Sequence, residues 1–366
     1  MPQIKDITAE LEKLAPLPYQ EDYDNAGLMV GDPGMVVTGV LISLDITEEV
    51  ITEAVQKGCN LIVAHHPIIF RGLKKLNGKN YVERTVIKAI KSDVALYASH
   101  TNLDHVQQGV NYKIAERLGL EQVRILAPKT QILKKLTFFA PLANTQSILD
   151  ALFRAGAGEV GKYKNCSFRT EGTGTFLPGE DAQPVIGQPG SLEQVAEHRA
   201  EVIFPSHLQS AVLAALRKTH PYEEVAYYLH LLENENQDVG AGAVGDLQAP
   251  LSPEAFLQHL KTRMNTGTIR HTRIVTNEIK RVAVCGGAGS FLLQDAIRAG
   301  ADVFVTSDYK YHEFFDADNR IMICDIGHYE SEVFTKDLLY HYLSGIFSNF
   351  ALCLSDVNTN PVKYFV

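Results

Sequence analysis

The sequence predicts an α/β protein with a largely parallel sheet domain formed by both chain ends and a smaller α+β domain inserted between them. Three observations carry this. The two ends hold matching strand–helix–strand patterns offset by 242 positions, Asp45 to Gly287 and Gly58 to Gly300. The middle holds its own repeat at a spacing of 64 positions. Histidines and carboxylates cluster where predicted strands end, the place where open α/β sheets bind ligands. A length of 366 residues suits two domains or one with a large insertion.

In the first half, residues 40–45 read as a strand and residues 49–55 as a helix, which Gly58-Cys59-Asn60 closes. The aliphatic run Leu61-Ile62-Val63-Ala64 is the next strand, of the buried parallel type. Residues 94–98 form a third strand that leads to His100 and Asp104. In the second half, residues 282–287 are a strand and residues 292–297 a helix, closed by Gly300-Ala301-Asp302. Residues 303–308 are the next strand, and residues 321–324 lead to Asp325 and His328. This order predicts one largely parallel sheet with helix cover, shared by residues 1–129 and 247–366.

Within the middle segment, Pro141 matches Pro205, Ile148 matches Val212, Leu149 matches Leu213 and Leu152 matches Leu216. Each copy has a strand (136–140; 201–204), an amphipathic helix (through Ala151; through Ala215) and a further strand (161–168; 225–230). A doubled βαβ of this size reads as a ferredoxin-like sandwich over residues 130–246. Residues 171–179, rich in glycine, read as a turn-rich loop, a hairpin and connector.

His65 and His66 end the aliphatic strand, and Pro67 turns the chain after them. Alternate side chains of a strand point to opposite faces, so at a strand tip the pair can diverge toward two neighbouring ions. Asp104 lies beyond the third strand of the first half, and His328 and Glu332 lie at the equivalent place in the second. Spaced i and i+4, His328 and Glu332 share one helix face. Imidazole and carboxylate ligands suit Zn, Mn, Fe or Co without selecting among them. A carboxylate can bridge two ions, so the pattern predicts two divalent metal ions per subunit. Gly286-Gly287-Ala288-Gly289-Ser290 opens a helix after a strand and could cradle a phosphate, a feature that a tight β–α turn explains equally well. The segment from Asp24 to Gly27, and Lys310 with His312, are candidate substrate contacts. His100 could orient a ligand or move a proton.

The formal charge of −9 argues against broad nucleic-acid binding. No apolar run approaches the ~20 residues of a membrane span. The start of the chain lacks a basic-then-apolar signal pattern. Five scattered cysteines without a CxxC fit reduced thiols and a cytoplasmic location.

Tyr23-Asp24-Asn25-Ala26-Gly27-Leu28, the segment from Ala64 to Phe70, the segment from Ser99 to Asp104 and the segment from Asp325 to Glu332 together resemble the Nif-three-like dinuclear metal centre hexameric family, described as GTP cyclohydrolase I type 2 homologues. Tyr163 to Gly174 and His220 to Tyr227 are similar to the middle domain of its longer bacterial members, which resembles PII and CutA proteins. The resemblance implies that His65 and Asp104 bind one ion, that His66 and His328 bind the other, and that Glu332 bridges them. It implies a toroidal homohexamer and a GTP cyclohydrolase-like, metal-dependent hydrolase of a small nucleotide-like substrate. The alternative is a non-catalytic hexameric regulatory or metal-handling protein.

Overall fold

The computed structural model describes residues 2–365. The chain divides into two compact units, one made of the residues up to Pro128 together with those from Asp238 onward, the other of Lys129–Gln237. The second boundary falls nine residues before the expected 247, because a single uninterrupted strand, Asn236–Leu251, carries the chain back into the first unit.

Following the chain, β1 (Gly27–Val30), β2 (Gly39–Ser43), β3 (Leu61–Ala64) and β4 (Ala95–Ala98) come first. β2, β3 and β4 are parallel neighbours, with Leu41 opposite Ile62 and Ile62 opposite Leu96, and β1 pairs antiparallel with β4. Every residue of β2, β3 and β4 is buried, as expected for strands covered on both faces. The helices that connect them are capped from the sequence. Thr47 accepts from the Val50 amide at the start of Glu48–Gln56, and Asn80 accepts from the Glu83 amide at the start of Tyr81–Lys91. β5 (Leu120–Lys129) then leaves the unit.

The middle unit runs β6 (Leu133–Pro141), helix Thr145–Arg154, β7 (Phe168–Phe176), β8 (Glu193–Pro205), helix Gln209–Thr219 and β9 (Tyr227–Leu232). Its sheet order is β7-β8-β6-β9, all antiparallel, which is the ferredoxin-like topology. Leu136, Phe138, Ile148, Leu152, Val202, Phe204 and Leu216 fill its core. The expected strand at 161–168 is displaced. The strand occupies Phe168–Phe176, much of the segment read as a turn-rich loop, because its glycines sit opposite β8, with Gly172 facing Glu197 and Gly174 facing Val195.

On return, β10 (Asn236–Leu251), β11 (Arg270–His271), β12 (Ile279–Ala288), β13 (Val303–Ser307) and β14 (Met322–Asp325) build a second sheet with β5, in the order β11-β14-β13-β12-β10-β5. β12, β13 and β14 are parallel, repeating the arrangement of β2, β3 and β4. The two halves therefore form two sheets with parallel centres, rather than one shared sheet. Each first strand is already covered: β12 pairs antiparallel with β10, and β2 pairs with the last strand of the chain, β15 (Ala351–Leu354).

β15 joins the first-half sheet, in parallel, from the far end of the sequence. Buried Glu53 anchors the residues just beyond it. The Glu53 carboxylate accepts from the Ser355 hydroxyl and from the Asp356 amide at 2.8 Å, and pairs with Lys57 at 2.7 Å. Burial raises the Glu53 pKa, but these partners outweigh burial and bring it below its ordinary 4.5. Its stabilisation is therefore complete above about pH 4.5 and is lost as pH falls through the folded-state value. Glu53→Gln should cost about 1–3 kcal/mol at pH 7, read by denaturant unfolding. The gap from the native chain should close in acid.

Candidate metal centre

The histidine strand ends at Ala64, and the amides of His65 and His66 both donate to the Leu44 carbonyl beyond β2, at 3.1 and 2.9 Å. This shared acceptor ends regular pairing and lets the two rings diverge, with centroids 4.8 Å apart and planes tilted by 44°. Past β4, a helical turn at Thr101–Asp104 presents Asp104. Asn102 Oδ1 accepts the His100 amide at 2.9 Å, and Asn111 Nδ2 donates to the Asp104 carbonyl at 2.9 Å, which holds that turn. Past β14, the short helix His328–Glu332 aims its i and i+4 side chains together.

These five side chains converge. Glu332 Oε2 lies 2.8 Å from His66 Nε2 and 3.0 Å from His328 Nε2, and those two nitrogens are 3.3 Å apart. The other carboxylate oxygen, Oε1, lies 3.8 Å from His65 Nε2, which is itself 3.7 Å from Asp104 Oδ1. His65 Nε2 and Asp104 Oδ1 are buried and have no hydrogen-bond partner. Buried polar atoms are almost always paired. A metal held at about 2.0–2.2 Å from nitrogen and oxygen ligands fits between two atoms at this separation.

The outer ring nitrogens explain the tautomers. His65 Nδ1 donates to the Ser99 carbonyl at 2.8 Å, which leaves Nε2 as the lone-pair atom of the neutral ring. His66 Nδ1 meets Asp45 Oδ1 at 2.7 Å, and His328 Nδ1 meets Asp308 Oδ2 at 2.6 Å. Carboxylate or carbonyl behind imidazole is the arrangement that orients metal-binding histidines. Burial disfavours the charged form of His66, but Asp45 and Glu332 outweigh it and raise its pKa to about 9. Solvent reaches His328, whose side chain is 41% exposed, and Glu332 and Asp308 raise its pKa against the effect of burial. Burial opposes the charge on Glu332 too, yet the histidines hold it well below the usual carboxylate range. Asp104 is pushed up by burial. The centre thus sets carboxylates against imidazoles, a nitrogen and oxygen donor set that suits a divalent cation. His66, His328 and Glu332 form one group able to hold a metal ion, and His65, His66 and His100 form another.

Asp45, Asp308 and the Ser99 carbonyl were not identified as site groups from the sequence. Their signal is position, since each follows the carboxyl end of a strand. Asp24 reaches the site as well: it accepts from His100 Nδ1 at 2.7 Å and from the Thr101 amide at 3.0 Å. Despite burial, these bonds lower its pKa to about 2. The glycine-rich turn does not offer its first two amides to a phosphate. Gly286 donates to Asn111 and Gly287 to Ser331, and the helix beyond the turn, Leu293–Arg298, is short. The turn instead makes room. At Gly287, with φ of +63°, a Cβ would stand 2.5 Å from Glu332 Oε1. Lys310 pairs with Glu313 and His312 packs beside Tyr311, and neither lines the cavity of about 1140 Å³ above the centre.

A two-sheet α/β unit with histidine–carboxylate clusters at its strand tips defines the class, and comparison defines the family. Residues 2–361 match Duf34/NIF3 (NGG1p interacting factor 3), and the chain belongs to that family. Relatives named "GTP cyclohydrolase 1 type 2 homolog" are 39% identical in Halalkalibacterium halodurans, over 96% of each chain, and 37% identical in Bacillus subtilis, over 98% of each. The solved Bacillus cereus protein related to NIF3 superposes with a TM-score of 0.86 at 37% identity, covering 100% of this chain and 99% of that one. No helix among the described residues is long and apolar enough to cross a membrane.

Gly287→Ala should force both the left-handed backbone and Glu332 to shift. The expected loss is about 1–3 kcal/mol by chemical denaturation. The rise in melting temperature on adding Zn²⁺ or Mn²⁺ should also shrink. An unchanged response to metal would show that Glu332 does not depend on this glycine.

Proposed function

We propose that the protein is a metal-dependent hydrolase with a dinuclear centre, acting on a small nucleotide-like substrate. In this reading His65 and Asp104 hold one divalent ion, His66 and His328 hold the other, and Glu332 bridges them. The observation that carries it is the division of the Glu332 carboxylate, one oxygen toward His65 and the other toward His66 and His328. The unpaired His65 Nε2 and Asp104 Oδ1 support the first position. The donor set suits Zn, Mn, Fe or Co.

Ions held there would activate water and polarise a carbonyl-like carbon at neutral pH. The chain's own groups do the rest. Asp45, Asp308 and the Ser99 carbonyl fix the three imidazoles. His100, held by Asp24, offers its other ring nitrogen to hold or pass a proton beside His65 and His66, whose ring centroids lie 5.3 and 5.5 Å away. The relatives' names, which refer to GTP cyclohydrolase, support a nucleotide-like substrate and ring-opening hydrolysis.

Elemental analysis of protein purified without added metal should find two equivalents of divalent ion, and His66→Ala and Glu332→Gln should each lower that content. Asp308→Asn should keep the ligands yet weaken metal affinity about 10–100-fold in a chelator competition. Metal-loaded protein should release product from at least one member of a panel of nucleotides, nucleosides and bases, with formate as the readout for ring opening. A fully loaded protein inert to the whole panel would sink the hydrolase reading.

A further inference from the structure

The charge of the cavity, set beside its aromatic mouth, speaks to what enters it. Five carboxylates, Glu21, Asp45, Asp104, Asp308 and Glu332, face histidine rings, and Asp325 and Glu330 also line the space. Among the described lining residues there is no lysine and one arginine, Arg270. Nη2 of that guanidinium is engaged, while the side chain remains 59% exposed. It donates to the Asp325 carboxylate and to the Tyr309 carbonyl, and it lies 5.3 Å from the centroid of the Phe314 ring. The amides of Gly286 and Gly287 are taken by Asn111 and Ser331. Even with two divalent ions bound, the positive charge of ions and Arg270 falls short of the seven carboxylates that line the space.

The mouth has a different character. Tyr23, Tyr81 and Phe291 line the cavity while remaining 70%, 63% and 66% exposed. Phe70 sets its ring edge against His100, with centroids 5.7 Å apart. Large aromatic rings left in water at the rim of a polar cavity provide faces on which a planar heterocycle stacks. Polyanion sites use the opposite equipment, clustered arginine or lysine and free backbone amides. A triphosphate carries about three to four negative charges at neutral pH, since its terminal group titrates near 6. Beyond the ions it would meet the like charge of this lining.

We propose that the cavity takes a planar heterocycle of the nucleoside or free-base class and selects against polyphosphates. This rests on the dinuclear reading of the site and narrows its substrate. The base stacks on the rim aromatics, which brings a ring carbon toward the histidines, and the carboxylate lining rejects a triphosphate tail. Nucleotides would therefore be consumed only after a phosphate-removing or glycosidic-cleaving reaction has acted on them.

Equilibrium dialysis of the metal-loaded full chain against guanosine, GMP and GTP, in excess Mg²⁺ and with retained metal measured in the same samples, tests this. Guanosine should bind about tenfold or more tightly than GTP, with GMP between them, because like-charge juxtaposition is strongly unfavourable. Phe291→Ala should weaken guanosine binding about fivefold or more. Glu330→Gln should narrow the gap between guanosine and GTP. GTP binding most tightly, or none of the three binding while both metals are retained, would overturn the inference and leave the metal centre standing. A chain that takes up no metal overturns the site reading itself, and this inference with it.

Discussion

One carboxylate organises the first unit. Glu332 is buried and meets three imidazoles, with His66 and His328 on one oxygen and His65 facing the other. A buried carboxylate is costly unless it is paired, so the surroundings must deliver cationic or donor groups to both oxygens and leave space for the carboxylate itself. Much of the local architecture answers that requirement. Gly287 lacks the side chain that would collide with Glu332, and Ser331 links the helix carrying Glu332 to the end of β12. β3 and β14, which belong to different sheets, must end facing one another for His66 and Glu332 to touch.

The chain's last segment ties the two sheets to the same point. β15 completes the first-half sheet, and the residues after it run past the centre. Thr359 donates to Asp45, the carboxylate behind His66, and Asn360 donates to Glu330 on the helix that carries His328 and Glu332. Glu53 and Lys57 fasten the start of this segment through Asp356. Residues more than 250 positions from the histidine strand thus hold the groups that orient it. The consequence is mechanical: loosening β15 disturbs an imidazole, and not merely a sheet edge.

The elements legible in the sequence were those with strong local patterns. The aliphatic runs at β2, β3, β12 and β13 stand where the strands are, and the helices between them end just before the glycine stops Gly58 and Gly300. The repeat in the middle unit marked both helices and three of the four strands correctly. It misplaced the strand at Phe168–Phe176, because glycine is a poor local sign of strand when the pairing partner lies in a distant segment. The division into two sheets was illegible for a related reason. Only the long-range pairing of β15 with β2 and of β10 with β12 occupies the edges that would otherwise join the halves.

By itself the sequence determined the fold class, the doubled βαβ pattern and the identity of five converging side chains, because each depends on short-range periodicity or on a position just past a strand. Tertiary structure alone decided what those side chains face. It set His65 Nε2 opposite Asp104 Oδ1, and it placed Asp45 and Asp308 behind their histidines. It also turned a glycine run that suggested phosphate binding into the clearance that Glu332 needs. Hydrogen-bond direction and interatomic clearance are properties of chain segments brought together from hundreds of residues apart, and no local pattern encodes them.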